Sequence, residues 1–220
     1  MTLVPLLFFA AWASAAAAGP KIDKDTCSEA DAKKIEESWP EARARVKAAA
    51  ENVKAAIAGD DPAQRKKIIG YAKMLGVGPG DLPDVARILG EMDDKIAGSY
   101  YVCGAKTDPV CQSRGGYVRR GEQKDGAEVV HLCAGMFKDT AKEQRTRTMT
   151  HESAHLVDPK ISQPEGEGYC IVFDCETECP GKVNYLVADN WAHFTHCASG
   201  QKPDNDFEII GSPDPRKKSH

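Results

Sequence analysis

The amino-acid sequence predicts an α+β fold in which helices come first and a small antiparallel sheet follows. Three segments between residues 19 and 98 are predicted to be helices, the first from its start and stop residues and the other two from apolar side chains at helical spacing. From residue 99 onward, short runs of β-branched and aromatic residues predict strands, and two further helical segments follow them. We therefore expect a helical N-terminal part (19–98), a second part with sheet and helices (99–199) and an irregular tail (200–220).

Length, charge and composition restrict the class of protein. The chain has 220 residues, and its 29 basic against 33 acidic side chains give a net charge of −4. This length suits one domain. The near-neutral balance, with both signs interleaved, provides no basic surface for nucleic acid or for an anionic membrane. The 41% share of hydrophobic residues is enough for a core and excludes a wholly disordered chain.

Residues 3–18 form an unbroken run of apolar and small side chains that ends in alanines. As a helix this run would span roughly 24 Å, less than the ~30 Å hydrocarbon core of a bilayer. We therefore predict that residues 1–18 are a secretory signal peptide and not a stable membrane anchor, with a buried N-terminal helix as the alternative. Export would carry all eight cysteines to an oxidising compartment, so we expect a secreted protein, extracellular or periplasmic, that contains disulfides.

Capping residues locate the first two helices. Ser38 followed by Pro40 predicts the start of the first helix, which we expect to stop at Gly59. Asp61 followed by Pro62 predicts the start of the second helix. Apolar stripes mark the second helix and a third, which extends toward Ile96: Ile68, Ile69, Ala72 and Leu75, then Leu82, Val85, Ile88 and Leu89.

The second part of the chain carries three β-rich runs, residues 100–103, 116–118 and 128–133. They predict a small antiparallel sheet or a pair of hairpins. Residues 140–157 and residues 183–197 are predicted to be helical.

Residues 151–155 read His-Glu-Ser-Ala-His, a pattern with a chemical rationale. On a helix, His151 and His155 lie on one face, so both imidazoles can bind one Zn²⁺. Glu152 lies beside them and can take a proton from a water whose pKa the zinc has lowered to ~7. The motif therefore predicts a hydrolase with one zinc ion per chain.

Two histidines leave the zinc short of a third protein ligand. We expect His193 and His196, three residues apart on the last helical segment, to be exposed and not to bind the metal. The carboxylates after the motif are the candidates for the third ligand: Glu165, Glu167 and Asp174.

Three segments resemble the aspzincin metallopeptidases, the group of the peptidyl-lysine metalloendopeptidases and deuterolysin. They are residues 129–137, residues 147–155 and residues 187–194. The resemblance covers residues 100–197, which is less than half of the chain. It implies a zincin-like metallopeptidase domain with an N-terminal helical part, a small sheet and an active-site helix, and it implies zinc endopeptidase activity.

The resemblance also implies roles for individual residues. In the family, an aspartate three residues before a tyrosine is the third zinc ligand, and the tyrosine helps to bind the oxyanion. Tyr169 matches the tyrosine, whereas Gly166 takes the position of the aspartate, with a glutamate on either side. We therefore expect Glu165 to be the third ligand, with Asp174 and Glu167 as alternatives.

Asp189 matches one member of an acidic pair with which the lysine-cleaving relatives bind a basic side chain. The position of its partner is taken here by Ala192. Asp189 is therefore expected either to orient a zinc ligand or to face a basic side chain of the substrate.

The eight cysteines divide into two groups. The resemblance implies that Cys27 pairs with Cys103 and that Cys111 pairs with Cys133. We expect two more disulfides, in one of three pairings, in preference to a second metal site at the last CxxxC segment. The four cysteines concerned are Cys170, Cys175, Cys179 and Cys197.

We therefore expect a secreted, monomeric, zinc-dependent endopeptidase that acts on protein or peptide substrates. Glu152 is the expected general base, and Tyr169 is the expected oxyanion donor. Two alternatives are a secreted disulfide-braced binding module with a degenerate zinc site, and a zinc amidase that acts on cell-wall peptides.

Overall fold

The computed structural model describes residues 19–112, 114–139, 142–162, 175 and 184–201. Within these ranges it contains five α-helices and a four-stranded mixed sheet, so the predicted α+β class is confirmed. The signal peptide predicted at residues 1–18 lies outside the described residues. The helices are α1 Glu29–Ala58, α2 Pro62–Ala72, α3 Leu82–Gly98, α4 Lys142–Val157 and α5 Ala188–Ser199. The strands are β1 Lys21–Ile22, β2 Tyr100–Gly104, β3 Gly116–Lys124 and β4 Ala127–Cys133.

Helix α1 begins at Glu29, so the start predicted at Ser38 and Pro40 is wrong. Ser28 caps the helix, because its hydroxyl accepts a hydrogen bond of 3.1 Å from a backbone N–H in the first turn. Pro40 lies inside the helix, where its missing N–H costs one backbone hydrogen bond. Trp39 beside it is buried against α3 and donates from Nε1 to a carbonyl oxygen there, at 2.9 Å. Packing against α3 therefore outweighs the local pattern around Pro40.

The other predicted features of the N-terminal helices match the structure. Gly59 follows α1 with φ of +81°, a left-handed conformation that favours glycine. Asp61 caps α2 by accepting a hydrogen bond of 2.8 Å from the N–H of Ala63. The apolar stripe of α2 continues through a short 3₁₀ turn to Leu75, and α3 extends past Ile96.

The sheet has the strand order β1-β2-β4-β3 and is mixed, so the prediction of an antiparallel sheet is wrong. Among the described strands, β3 and β4 form the antiparallel pair, joined by a turn at Asp125 and Gly126 with positive φ at both residues. Strand β2 pairs in parallel with β4 and with the two-residue strand β1. These parallel partners are distant in sequence, so no local pattern indicates their direction.

One hydrophobic core joins the helices to the sheet. Helix α1 packs against the four other helices. Tyr101, Val130 and Leu132 contribute to the same core from the sheet, and the Tyr101 hydroxyl donates to the carbonyl of Ile96 at 3.0 Å. The parts predicted at 19–98 and 99–199 therefore share a core. No helix in the described ranges is both long enough and apolar enough to span a bilayer.

Three disulfides lie in the described part of the chain. Two of them are the pairs that the resemblance implies. The third one joins Cys175 to Cys197, two of the four late cysteines, so Cys175 is not available for a second metal site. Cys170 and Cys179 lie outside the described residues. The disulfides join Cys27 to Cys103, Cys111 to Cys133 and Cys175 to Cys197.

Helix α5 begins at Ala188, five residues later than the predicted start at residue 183. The residues ahead of it form a turn, in which the N–H of Leu186 donates to Oδ1 of Asn184 at 2.9 Å. Ser162, which follows α4, then pairs with Val187. The end of α4 and the start of α5 are thereby held together.

Candidate metal site

Helix α4 carries the three side chains of the His-Glu-x-x-His motif close together. The candidate ligand atoms of His151, Glu152 and His155 all lie within 4.8 Å of one another. The two Nε2 atoms of the histidines are 3.1 Å apart. Two imidazole nitrogens on a tetrahedral zinc are expected to be about 3.3 Å apart. The observed separation therefore fits two ligands of one metal ion.

The other ring nitrogen of each histidine has an acceptor. Nδ1 of His151 lies 2.8 Å from Oδ1 of Asp189, and Nδ1 of His155 lies 2.9 Å from the carbonyl oxygen of Ile161. Because an ionised carboxylate and a carbonyl can only accept, each Nδ1 carries the hydrogen. When both rings are neutral, their two Nε2 lone pairs face each other. Such lone pairs repel unless a proton or a cation lies between them, so the arrangement fits a cation site.

The chain on both sides of the motif places these acceptors. Ile161 ends a turn after α4, in which its N–H donates to the carbonyl of Asp158 at 2.9 Å. Ser162 donates to the carbonyl of Leu186 at 2.7 Å, just before α5 begins. Asp189 lies in the first turn of α5. The hydrogen bond between Ser162 and Leu186 therefore holds together the two segments that bring Ile161 and Asp189 to the histidine pair.

Glu152 is enclosed, with a residue exposure of 3%. Burial raises the pKa of its carboxyl to about 7. Its Oε2 atom has no hydrogen-bond partner among the described residues, so it can accept a proton. Gly116 of β3 lies against this carboxylate, because a Cβ at that position would be 3.3 Å from Oε1. The site therefore combines a buried carboxyl with the two histidines.

The two histidines have pKa values shifted in opposite directions by their surroundings. Burial and the neighbouring His151 lower the pKa of His155 to about 4, so His155 is neutral at pH 7. Burial also lowers the pKa of His151, but Asp189 outweighs it and raises that pKa above its ordinary value. Burial would raise the pKa of Asp189, yet His151 and Arg147 outweigh it and keep that pKa low. Asp189 is therefore a carboxylate at neutral pH.

Four of the predicted site residues lie outside the described part of the chain: Glu165, Glu167, Tyr169 and Asp174. The structure brings His151, Glu152, His155 and Asp189 together. Nothing in the described residues tests which carboxylate is the third ligand, so Glu165 stays a prediction.

His193 and His196 are buried, so the expectation that they are exposed is wrong. The reason is that α5 packs against both α1 and α4. Nδ1 of His196 lies 3.9 Å from Oε1 of Glu143. Glu143 is eight residues before His151, about 12 Å along the helix. His196 therefore lies beside a different part of α4 from the histidine pair.

Sequence reasoning missed three contributors to the site. Arg147 lies 3.6 Å from Oδ1 of Asp189, and its spacing of four residues from His151 was a usable indication. The carbonyl of Ile161 has no sequence signature, because every residue carries one. Gly116 is distant in sequence from Glu152, so its contact depends on the fold.

No protein-family model, no curated protein and no solved structure matches this chain. The aspzincin resemblance therefore depends on the motif residues and their flanks alone.

Proposed function

We propose that the protein is a secreted zinc-dependent endopeptidase of the aspzincin type, with a zincin-like fold. One observation carries the proposal: the Nε2 atoms of His151 and His155 face each other at 3.1 Å while each Nδ1 has its own acceptor. Histidine ligands of metals commonly have this outer partner, a carboxylate or a backbone carbonyl. The pair is thus arranged as a metal-binding pair would be.

His151 and His155 would hold the zinc through Nε2. The third protein ligand is proposed to be Glu165, with Asp174 and Glu167 as alternatives. When bound, zinc supplies a Lewis acid that lowers the pKa of water and polarises a peptide carbonyl.

Glu152 is proposed as the general base. Its unpartnered Oε2 takes a proton from the attacking water as the water oxygen forms a bond to the carbonyl carbon. The C–N bond then breaks, and Glu152 returns that proton to the amine that leaves. Tyr169 is proposed, from the resemblance alone, to donate a hydrogen bond to the oxyanion.

Asp189 is proposed to orient His151 and not to contact a basic substrate side chain. Its residue exposure is 5%, and the oxygen that accepts from His151 also lies near Arg147. A carboxylate that is neutralised inside the protein is poorly placed to select lysine. We therefore propose that the enzyme does not depend on Asp189 for its substrate specificity.

Secretion is supported by the apolar N-terminal run and by the three disulfides in the described residues. Protein or peptide is the proposed substrate, and the enzyme is proposed to act as a monomer.

The test is the cleavage of casein by the wild-type protein and by the Glu152→Gln variant, each with its zinc content measured. We expect E152Q to keep its zinc and to cleave about 10²–10⁴-fold more slowly, because it has lost the proton acceptor. The matched control is E51Q, at an exposed position of α1, which should cleave like wild type.

Three results would contradict the proposal. E152Q that cleaves casein at the wild-type rate would exclude Glu152 as the base. A wild-type protein without zinc would favour the binding module. Zinc-loaded protein that cleaves peptidoglycan peptides but not casein would favour the amidase.

A further inference from the structure

Helices α4 and α5 face each other through polar side chains. Glu143, Arg147 and His151 follow one another at intervals of four residues along one face of α4. Across from them on α5 lie Asp189 and His196, and we name these five residues the polar seam. Three contacts define it: His196 Nδ1 to Glu143 Oε1 at 3.9 Å, Arg147 to Asp189 Oδ1 at 3.6 Å, and His151 Nδ1 to Asp189 Oδ1 at 2.8 Å.

The formal charges alternate along the polar seam. Arg45 of α1 lies at one end, where its NH2 group donates to Oε2 of Glu143 at 2.8 Å. Next along α4 comes the positive Arg147, which lies one helical turn after Glu143 and 3.6 Å from Oδ1 of Asp189. The order is therefore positive, negative, positive, negative, and it ends at the carboxylate of Asp189 beside His151. Arg147 is the cation that lies between the two carboxylates.

Asp189 needs this cation because it is buried. Its Oδ1 accepts from His151, while its Oδ2 has no hydrogen-bond partner among the described residues. A buried carboxylate is costly unless charges and donors compensate it. With Arg147 removed, the carboxylate would turn toward water. His151 would then lose the acceptor that fixes its ring.

We infer that Arg147 is a positioning residue of the proposed metal site: it holds the Asp189 carboxylate against Nδ1 of His151 and so directs His151 Nε2 toward His155. This inference rests on the proposed function, because it concerns the same metal. Arg147 acts through Asp189, in the way that outer partners of metal ligands hold those ligands in place.

The experiment compares the full-length mature protein with its R147Q and R147K variants. Each protein is loaded with one zinc, and the rate at which zinc passes to an excess of a chelating dye is measured. The visible spectrum of the Co²⁺-loaded form reports the coordination geometry. Thermal unfolding of each metal-free protein reports its stability. The control is R87Q, which removes an arginine from an exposed position of α3.

We expect R147Q to release zinc about 10-fold faster or more, with a changed Co²⁺ spectrum, and R147K to stay close to wild type. R87Q should behave like wild type. Rescue by lysine marks the role of the charge, since a loss of packing alone would affect both variants alike.

Two results would overturn the inference. One is zinc release from R147Q at the wild-type rate with an unchanged Co²⁺ spectrum. The other is a folded R147K variant that releases zinc as fast as R147Q does. If R147Q fails to fold, release from folded R147K that is about 10-fold faster than from wild type would likewise overturn the inference. A wild-type protein that takes up no zinc would instead contradict the proposed function, so the two failures are distinguishable.

Discussion

Oδ1 of Asp189 lies 2.8 Å from Nδ1 of His151, although the two residues are 38 positions apart in the chain. The contact joins the first turn of α5 to the middle of α4. It assigns the Nδ1 hydrogen of His151 and turns Nε2 toward His155. An orientation of this kind prepares a histidine for a metal before the metal arrives.

The variant D189N tests this contact. Asparagine keeps an acceptor oxygen at nearly the same place but removes the negative charge. We therefore expect the zinc affinity to fall about 10–100-fold while the protein stays folded. Competition with a chelator of known affinity measures the change.

The control for this prediction is D84N, because Asp84 is an exposed aspartate in the first turn of α3. It should leave the zinc affinity unchanged. If D189N bound zinc as tightly as wild type, Asp189 would have no role in preparing His151.

Gly116 provides a prediction about the packing beneath Glu152. A Cβ there would lie 2.7 Å from Cγ2 of Thr148 and 2.8 Å from the carbonyl oxygen of His131. G116A should therefore lower the free energy of unfolding by about 1–3 kcal/mol, measured by urea denaturation.

The matched control is G90A in α3, where a new Cβ meets no atom within 4 Å. This substitution should raise the free energy of unfolding by about 0.5–1 kcal/mol, because alanine favours a helix. Equal stability of G116A and wild type would show that β3 does not pack on α4 as described.

The end of the polar seam near Arg45 makes stability depend on pH. Burial lowers the pKa of His196, and the positive Arg45 adds to this effect. Burial would raise the pKa of Glu143, but Arg45 outweighs it and lowers that pKa. Both groups thus bind protons more readily in the unfolded chain. The contribution of these two groups to the free energy of unfolding should therefore fall as the pH falls, first below 6.5 because of His196 and then below 4.5 because of Glu143.

Urea denaturation of wild type and H196Q between pH 8 and pH 3 checks this. Glutamine does not titrate, so between pH 6.5 and 4.5 H196Q should lose the His196 contribution to the wild-type slope. The contribution of His155, whose pKa is also lowered by burial, should persist in this range, as should the part below 4.5 that belongs to Glu143. If H196Q retained the wild-type slope between these values, the acid sensitivity would have another origin.

The elements with local determinants could be predicted from the sequence. The cap at Asp61 and the stripes of α2 and α3 involve neighbours in the chain, and the structure has them. The start predicted for α1 at Ser38 and Pro40 was wrong, because the free energy lost with one missing N–H is smaller than the free energy gained by burying Trp39 and its helix. The parallel pairing of β2 with β4 depends on tertiary packing, which no short window of sequence contains.

The candidate metal site likewise has some features that depend on neighbours in the chain and others that depend on tertiary packing. The four-residue interval of His151 and His155 is local, so their proximity could be predicted. The sequence predicted that Asp189 belongs to the site but left two roles open, orienting a zinc ligand or facing a substrate side chain. The distance of 2.8 Å to His151 is what favours the first role. Arg147 becomes meaningful only when α5 lies opposite α4.

The most direct test of the account is the zinc content of the purified mature protein after dialysis against metal-free buffer, measured by elemental analysis. The account predicts one zinc per chain in wild type and none in the double variant H151A/H155A. A wild-type protein that holds no zinc, or a double variant that keeps one, would contradict it.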